Sequence, residues 1–306
     1  MAAMRCRFAQ VAILLTASFL AGQQAIRAQE AVPTATSDTS GKSPCPSFTA
    51  SENKPTARPE VSIDRVTFSG ALRLPSSDQD RIADSIHLKA RGDSVDGLLD
   101  GALEWARAGW QNHGYFKVLV SGDLKPLTDN PTRQRFALNV HVDEGLQYTL
   151  GNITFRNNKA IADVNLLRSL FPVKNGKTFS REKIAKGLEN LRKAYQELGY
   201  INFVGVPDTR FDNEKRQIFL EIDLDEGKQF YVSSLDVLGV DEPARLELLK
   251  EFPIGQIYNG RILEQFVEQH PILNFHPDEP GRIVKRLDER MGEVAITLDA
   301  RPCLAD

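Results

Sequence analysis

Val142-Asp-Glu-Gly-Leu-Gln-Tyr148 and Leu224-Asp-Glu-Gly-Lys-Gln-Phe230 are two copies of one stretch, and their reading decides the fold. Each copy follows an alternating run of strand character, Phe136 to Val142 and Gln217 to Asp223, and each precedes another, Ile153 to Phe155 and Leu235 to Val237. Asp-Glu-Gly between two such runs reads as a turn, because Gly supplies a positive φ and Asp can bond its own backbone. The residues Asp143, Glu144 and Gly145, and Asp225, Glu226 and Gly227, are therefore expected at exposed turns that join repeated modules and set the angle between them. From Gly145 to Gly227 is 82 residues, enough for a small domain.

Outward from the first copy, Val61 to Phe68 alternates as a strand. A weak helix over Ser77 to Ile86 and a stronger one over Val95 to His113 follow. Leu99, Leu103, Ala106 and Trp110 fall on one face of the second, and Gly114 stands at its C-terminal cap. Tyr115 to Val120 is extended, Asp129-Asn-Pro131 turns, and Phe136 to Val142 closes the unit. The next unit repeats the order. A strand near Leu150 to Phe155 precedes a helix near Asp163 to Leu170, stopped by Pro172. Ser180 caps a helix carrying Ile184, Leu188, Leu191 and Tyr195, which closes at Gly199. Counted back from each closing Gly, the two apolar stripes share one register, and Tyr115-Phe116 corresponds to Tyr200-Ile201.

A third unit keeps only the first half of this pattern. Its strand spans about Val232 to Leu238, and Phe252-Pro253 and Gly255 to Asn259 echo Phe171-Pro172 and Gly176 to Ser180. Ile262 and Phe266 continue the stripe, but Pro271 ends the helix early and no Gly-Tyr pair follows. A hairpin over about Arg282 to Arg286 and Val294 to Leu298 is expected to complete the sheet.

At the N-terminus, Arg5 and Arg7, an apolar run Val11 to Leu20 and the small-residue site Ala25-Ile-Arg-Ala28 have the form of a secretory signal, with cleavage after Ala28. The run falls short of the roughly 20 residues that span a bilayer. Residues 29–58, rich in Ala, Pro, Thr and Ser, read as a disordered linker. The expected units are therefore 59–145, 146–227 and 228–303. Removing residues 1–28 takes Arg5, Arg7 and Arg27 from 38 basic residues and none from 41 acidic ones, leaving 35 against 41. That acidic balance argues against nucleic acid or an anionic membrane surface as partner. With Cys6 in the signal, Cys45 and Cys303 remain; a disulfide between them, free thiols and intermolecular bonds are all open from sequence.

Little in the chain reads as catalysis. The carboxylates of Asp143-Glu144 and Asp225-Glu226 are adjacent in sequence and need not converge on a substrate. His270, His276 and Asp278 match no zinc spacing, and Pro271 keeps them off a shared helical face. Gly176-Lys177-Thr178 resembles the tail of a phosphate loop, but Phe171 stands where its first Gly is required. His87, His113 and His141 lie in separate elements without a nucleophile. No enzyme, cofactor or metal site is expected.

Three βααββ units carrying Trp110-x-x-x-Gly114-Tyr115, Tyr195-x-x-x-Gly199-Tyr200 and the two Asp-Glu-Gly junctions resemble POTRA domains, the periplasmic modules that precede outer-membrane barrels of the Omp85 class. The resemblance covers about 59–302. It implies an α+β tandem array of three POTRA-like modules, each a small three-stranded mixed sheet packed on two helices, the third divergent. It also implies a non-enzymatic periplasmic scaffold associated with the outer membrane. Such a scaffold would bind unfolded barrel precursors or a barrel partner by strand addition, touching the membrane only through that partner. The stretch after the third unit is too short for a barrel of its own, so a spacer or a detached part of a split barrel protein is the alternative. Edge strands offer unpaired backbone to extended peptides; the candidate positions are Phe116, Val118 and Val120, and Ile201, Phe203 and Val206, with Pro207 suited to an edge.

Overall fold

The side-chain period switches between 2 and 3.6 along the chain, and the elements follow it. The structure, a computed structural model, describes residues 60–90, 94–127 and 133–302. The first module contains β1 (Glu60–Ser69), α1 (Ser76–Lys89), α2 (Val95–Asn112), β2 (Leu119–Pro126) and β3 (Arg133–Asp143). The second contains β4 (Thr149–Arg156), α3 (Val164–Ser169), α4 (Arg181–Glu197), β5 (Val204–Asp212) and β6 (Gln217–Asp225). The third contains β7 (Tyr231–Leu238), α5 (Glu242–Glu251), α6 (Gly260–Gln269), a 3-10 turn Pro271–Leu273, β8 (Ile283–Asp288) and β9 (Glu293–Asp299). The signal segment, the linker, the turn at Asp129 to Pro131, Cys45 and Cys303 lie outside the described residues.

Each sheet has the same topology, with orders β1-β3-β2, β4-β6-β5 and β7-β9-β8. The last strand of every module is central, parallel to the first and antiparallel to the second. Strict alternation puts Ile218, Leu220, Ile222 and Leu224 of β6 on the helix side, all buried. Helix starts are set by side chains that satisfy free amides: Ser94 accepts from Gly97, Ser180 from Lys183, and Asn259 from Arg261 and Ile262.

The helical stripes are centred slightly differently from the sequence expectation. In α2 the fully buried line is Leu98, Ala102, Ala106 and Trp110, with Leu99 and Leu103 half-buried beside it. In α4 it is Ile184, Gly187, Leu191 and Tyr195, with Leu188 at the margin. In α4 close approach is the reason: the helix meets Phe171 at Gly187, and Leu188 is left to the margin. A Cβ on Gly187 would overlap the Phe171 ring. Replacing Gly187 with Ala is therefore expected to destabilise the second module by about 1–3 kcal/mol despite the better helix propensity of Ala, read as a lower urea midpoint; an unchanged or raised midpoint would show that α4 and Phe171 are not in contact.

Candidate functional site

The repeated Asp-Glu-Gly stretch divides its work between two carboxylates. Asp143 and Asp225 behave as turn residues, each accepting from the amide two positions on, Gly145 and Gly227, at 3.2 Å. Those glycines have φ of 63° and 65°. The glutamates depart from the expected exposed turn. Glu144 is 3% exposed and accepts from the Arg73 amide (2.8 Å), the Leu74 amide (3.0 Å) and Trp110 Nε1 (2.9 Å). Glu226, half-buried, accepts from the Lys159 amide (2.7 Å), the Ala160 amide (2.9 Å) and the Tyr195 hydroxyl (3.0 Å). In both modules one carboxylate ties the end of the central strand to the loop after the first strand and to the end of the second helix. A chain turning at Asp and Gly swings the intervening Glu inward, where unpaired loop amides await an acceptor.

The third module replaces this arrangement. Sheet register puts Pro302 where Glu144 and Glu226 stand. Asn274, with φ of 52°, takes the left-handed place of Gly114 and Gly199. His270 stands four residues before it, 11 residues after the cap Asn259, whereas Trp110 and Tyr195 stand 16 and 15 residues after the caps Ser94 and Ser180. Its Nδ1 lies 2.6 Å from the Phe266 carbonyl and its Nε2 2.9 Å from Glu251 Oε2, joining α6 to α5 instead of to the sheet.

The joints between modules also repeat. The Tyr148 amide donates to the Gly114 carbonyl (2.8 Å) and the Phe230 amide to that of Gly199 (2.9 Å). Gln147 and Gln229 side chains donate to the His113 and Leu198 carbonyls at 2.8 and 2.9 Å. A plug follows each closing glycine: Phe116 packs between Phe179 (5.2 Å) and Phe211 (5.3 Å) of the second module, and Ile201 packs on the third module's core. Arg181 Nη1 donates to Glu104 Oε1 (2.7 Å) and Gln111 Oε1 (3.2 Å) across the first joint. Across the second, Asn202 Nδ2 donates to Glu289 Oε1 (3.0 Å).

This corrects the candidate edge positions. Phe116, Val118, Ile201 and Phe203 precede the edge strands, which begin at Leu119 and Val204. Phe116 and Ile201 are committed to joints. Val118 and Phe203 are buried in their own modules, Phe203 stacked on Tyr195 at 4.1 Å. The extended pattern after Gly-Tyr includes a turn before the strand, which alternation alone cannot separate from it. Val120 and Val206 do lie in edge strands. Leu119 (68% exposed), Val204 (50%) and Val206 (57%) line the outer face there. A shallow groove beside Val206 is bordered by Asp208, Asp223, Asp225 and Arg156, and Arg156 is paired with Glu221 (3.2 Å) and Asp223 (3.4 Å).

Other titratable groups have local work. His276 faces Asp278 at 3.7 Å in an exposed loop, and His87 Nδ1 lies 2.6 Å from the Ile63 carbonyl. Burial first, then the bond to Glu226, holds the Tyr195 hydroxyl well above the ordinary tyrosine pKa, and burial with the nearby Glu144 charge raises that of Tyr115. Among the described residues no three His, Cys, Asp or Glu side chains gather as metal ligands, and no helix is long and apolar enough to cross a membrane.

Residues 148–227 match the POTRA family model, described as a surface antigen variable number repeat. The chain is 23% identical over 169 residues to the outer membrane protein assembly factor BamA of Buchnera aphidicola, covering 54% of this chain and 27% of that protein. It is 24% identical over 158 residues to BamA of Neisseria meningitidis serogroup B, covering 48% and 20%. The chain thus corresponds to about a quarter of the length of these relatives. The crystal structure of Haemophilus influenzae BamA POTRA3-5 superposes with a TM-score of 0.56 at 19% identity, over 79% of this chain and 96% of that one, a likeness of fold. Residues 148–227 are thus matched as a POTRA domain, and the chain shares the fold of the POTRA3-5 structure.

Removing the Glu226 carboxylate as Glu226→Ala orphans two amides and the Tyr195 hydroxyl, so a loss of about 3 kcal/mol is expected in chemical denaturation of the second module. Y195F should cost about 1 kcal/mol, and the pair should cost less than the sum of the two single losses. Additive losses would mean that the two side chains do not act together. The neutral Tyr195 phenol is the form favoured in the fold. Its contribution is therefore complete below pH 10 and lost as pH rises beyond the ordinary tyrosine value of 10.0. Y195F should flatten the alkaline fall in stability; an unchanged slope would contradict the assignment.

Proposed function

We propose that the chain is a non-enzymatic periplasmic scaffold, exported and associated with the outer membrane, that supports assembly or translocation of outer-membrane β-barrel proteins. Its partners on this reading are a barrel protein or its unfolded precursors, and it meets the membrane only through them. The edge strands β2 and β5 receive extended segments of those polypeptides. The observation that carries the reading is the outer edge of β5, where Val204 and Val206 stand exposed on a strand that no described strand covers. Apolar side chains on an uncovered edge suit a partner strand that brings both backbone hydrogen bonds and alternating apolar contacts.

A spacer role is the second reading, favoured by Pro126 in β2 and Pro207 in β5, which interrupt the donor rows of those edges, and by the repeated joints, which suit a fixed strut. Photo-crosslinking residues placed at Leu119 and Val206 of the exported chain separate the two. Adducts with unfolded barrel precursors are expected at both sites. With the crosslinker at Val206, Val204→Asp should cut the β5 adduct about tenfold, equivalent to about 1.4 kcal/mol. Envelopes in which neither site yields a barrel polypeptide, while the chain still co-purifies with a barrel, would sink strand addition and leave the spacer.

A further inference from the structure

The third module's edge differs from the other two in composition and cover. β2 contains Pro126 and β5 contains Pro207, each removing one amide from the strand's row of backbone donors. β8, Ile283-Val-Lys-Arg-Leu-Asp288, has no proline, so all six residues carry an amide. It is the outermost strand in the order β7-β9-β8, and among the described residues nothing pairs with its far side. Its helical cover is also shorter: α6 has 10 residues, whereas α2 has 18 and α4 has 17. Register aligns Gly122, Pro207 and Ile283, so two residues on, the helix-side positions are Leu124, Thr209 and Lys285. Leu124 and Thr209 are half-buried, but Lys285 is exposed, its Nζ 5.2 Å above the Tyr258 ring.

Charge then selects among partners. Lys285 and Arg286 are adjacent on the edge and point to opposite faces, and neither makes an ion pair with a described carboxylate. The nearby Asp288 is turned into the hairpin, where it accepts from the Arg290 and Met291 amides at 2.9 and 3.1 Å. Val284, exposed between Ile283 and Lys285, supplies an apolar contact on the outer face. We propose that β8 is an acceptor edge for an extended acidic segment of a partner polypeptide, one that sets carboxylates opposite Lys285 and Arg286 and an apolar side chain against Val284. A second copy of this chain is disfavoured there. Antiparallel pairing of two β8 strands about their middle puts Lys285 across from Lys285 or Arg286 across from Arg286, and like charges directly opposed destabilise a sheet. The same cations that block self-association therefore admit the acidic strand. This site does not depend on whether β2 and β5 bind anything.

The test uses the full exported chain, isotopically labelled, with two short acetylated peptides, one repeating Val-Glu-Glu and the other Val-Lys-Lys. The Glu peptide should shift the amides of residues 283–288 most, bind about tenfold more tightly than the Lys peptide, and weaken as salt is raised. Lys285→Glu with Arg286→Glu should reverse the preference; if that variant fails to fold, Arg286→Gln, at an exposed position, should lower the Glu-peptide affinity severalfold. Either a preference unmoved by these substitutions, shifts centred on residues 119–126 or 204–212, or no binding by the Glu peptide would overturn the proposal. Loss of barrel-precursor adducts at Val206 with peptide binding at β8 intact would fault the strand-addition reading of β5 alone.

Discussion

A buried carboxylate at the end of the central strand is the interaction on which the first two modules depend. Glu144 and Glu226 each gather two backbone amides and one aromatic donor into a single site. Charge-assisted bonds of this kind are about twice as strong as neutral ones, and the cost of leaving the donors empty is larger still. Three pieces of chain that share no secondary structure are thereby held together: the strand end, the loop after the first strand, and the last turn of the second helix. That turn carries Gly114 or Gly199, whose carbonyl accepts the first amide of the next module. Module interior and module joint are in this way parts of one hydrogen-bonded chain.

The third module lacks that site and is braced by other means. Pro302 offers no carboxylate, and α6 ends at Gln269, before a position equivalent to Trp110 or Tyr195 is reached. The helix is shorter, it is fastened to α5 through Glu251, and its sheet is left with an edge whose helix side is open. The third module thus differs both in how it is held and in the surface it presents. The first two modules use the residues after the closing glycine, Phe116 and Ile201, to fill the module beyond. In the third, the corresponding stretch is the Pro-containing loop His276 to Pro280.

Much of this was legible in the sequence. The capping residues Ser180 and Asn259, the left-handed glycines, the early stop at Pro271 and the final hairpin all act within a few residues of themselves, so local pattern suffices to find them. The three-stranded mixed sheet on two helices followed from the resemblance, but not the order of its strands. The helix stripes were off by one position because Leu99 and Leu103 look more central than Ala102, and only the distance between helix and neighbouring layer favours the small residue. The edge candidates Phe116, Val118, Ile201 and Phe203 failed for a similar reason. An apolar residue after a helix can belong to a strand, a core or a neighbouring module, and periodicity is the same for all three. The carboxylate site does leave one signal in the sequence: Trp110 and Tyr195, both hydrogen-bond donors, stand four residues before the closing glycine in the two modules that have Asp-Glu-Gly.

The sequence by itself determined the repeat, the order of elements and the places where the chain must turn, because these depend on side-chain period and backbone freedom over short spans. Tertiary structure alone decided that Glu144 and Glu226 face inward, that the plugs belong to the next module, and that β8 is the least interrupted edge. Glu144 finds its partners 71, 70 and 34 residues away. A carboxylate's role is set by which donors the fold brings to it, and no local pattern around Asp-Glu-Gly distinguishes an exposed turn from the bond that holds a module closed.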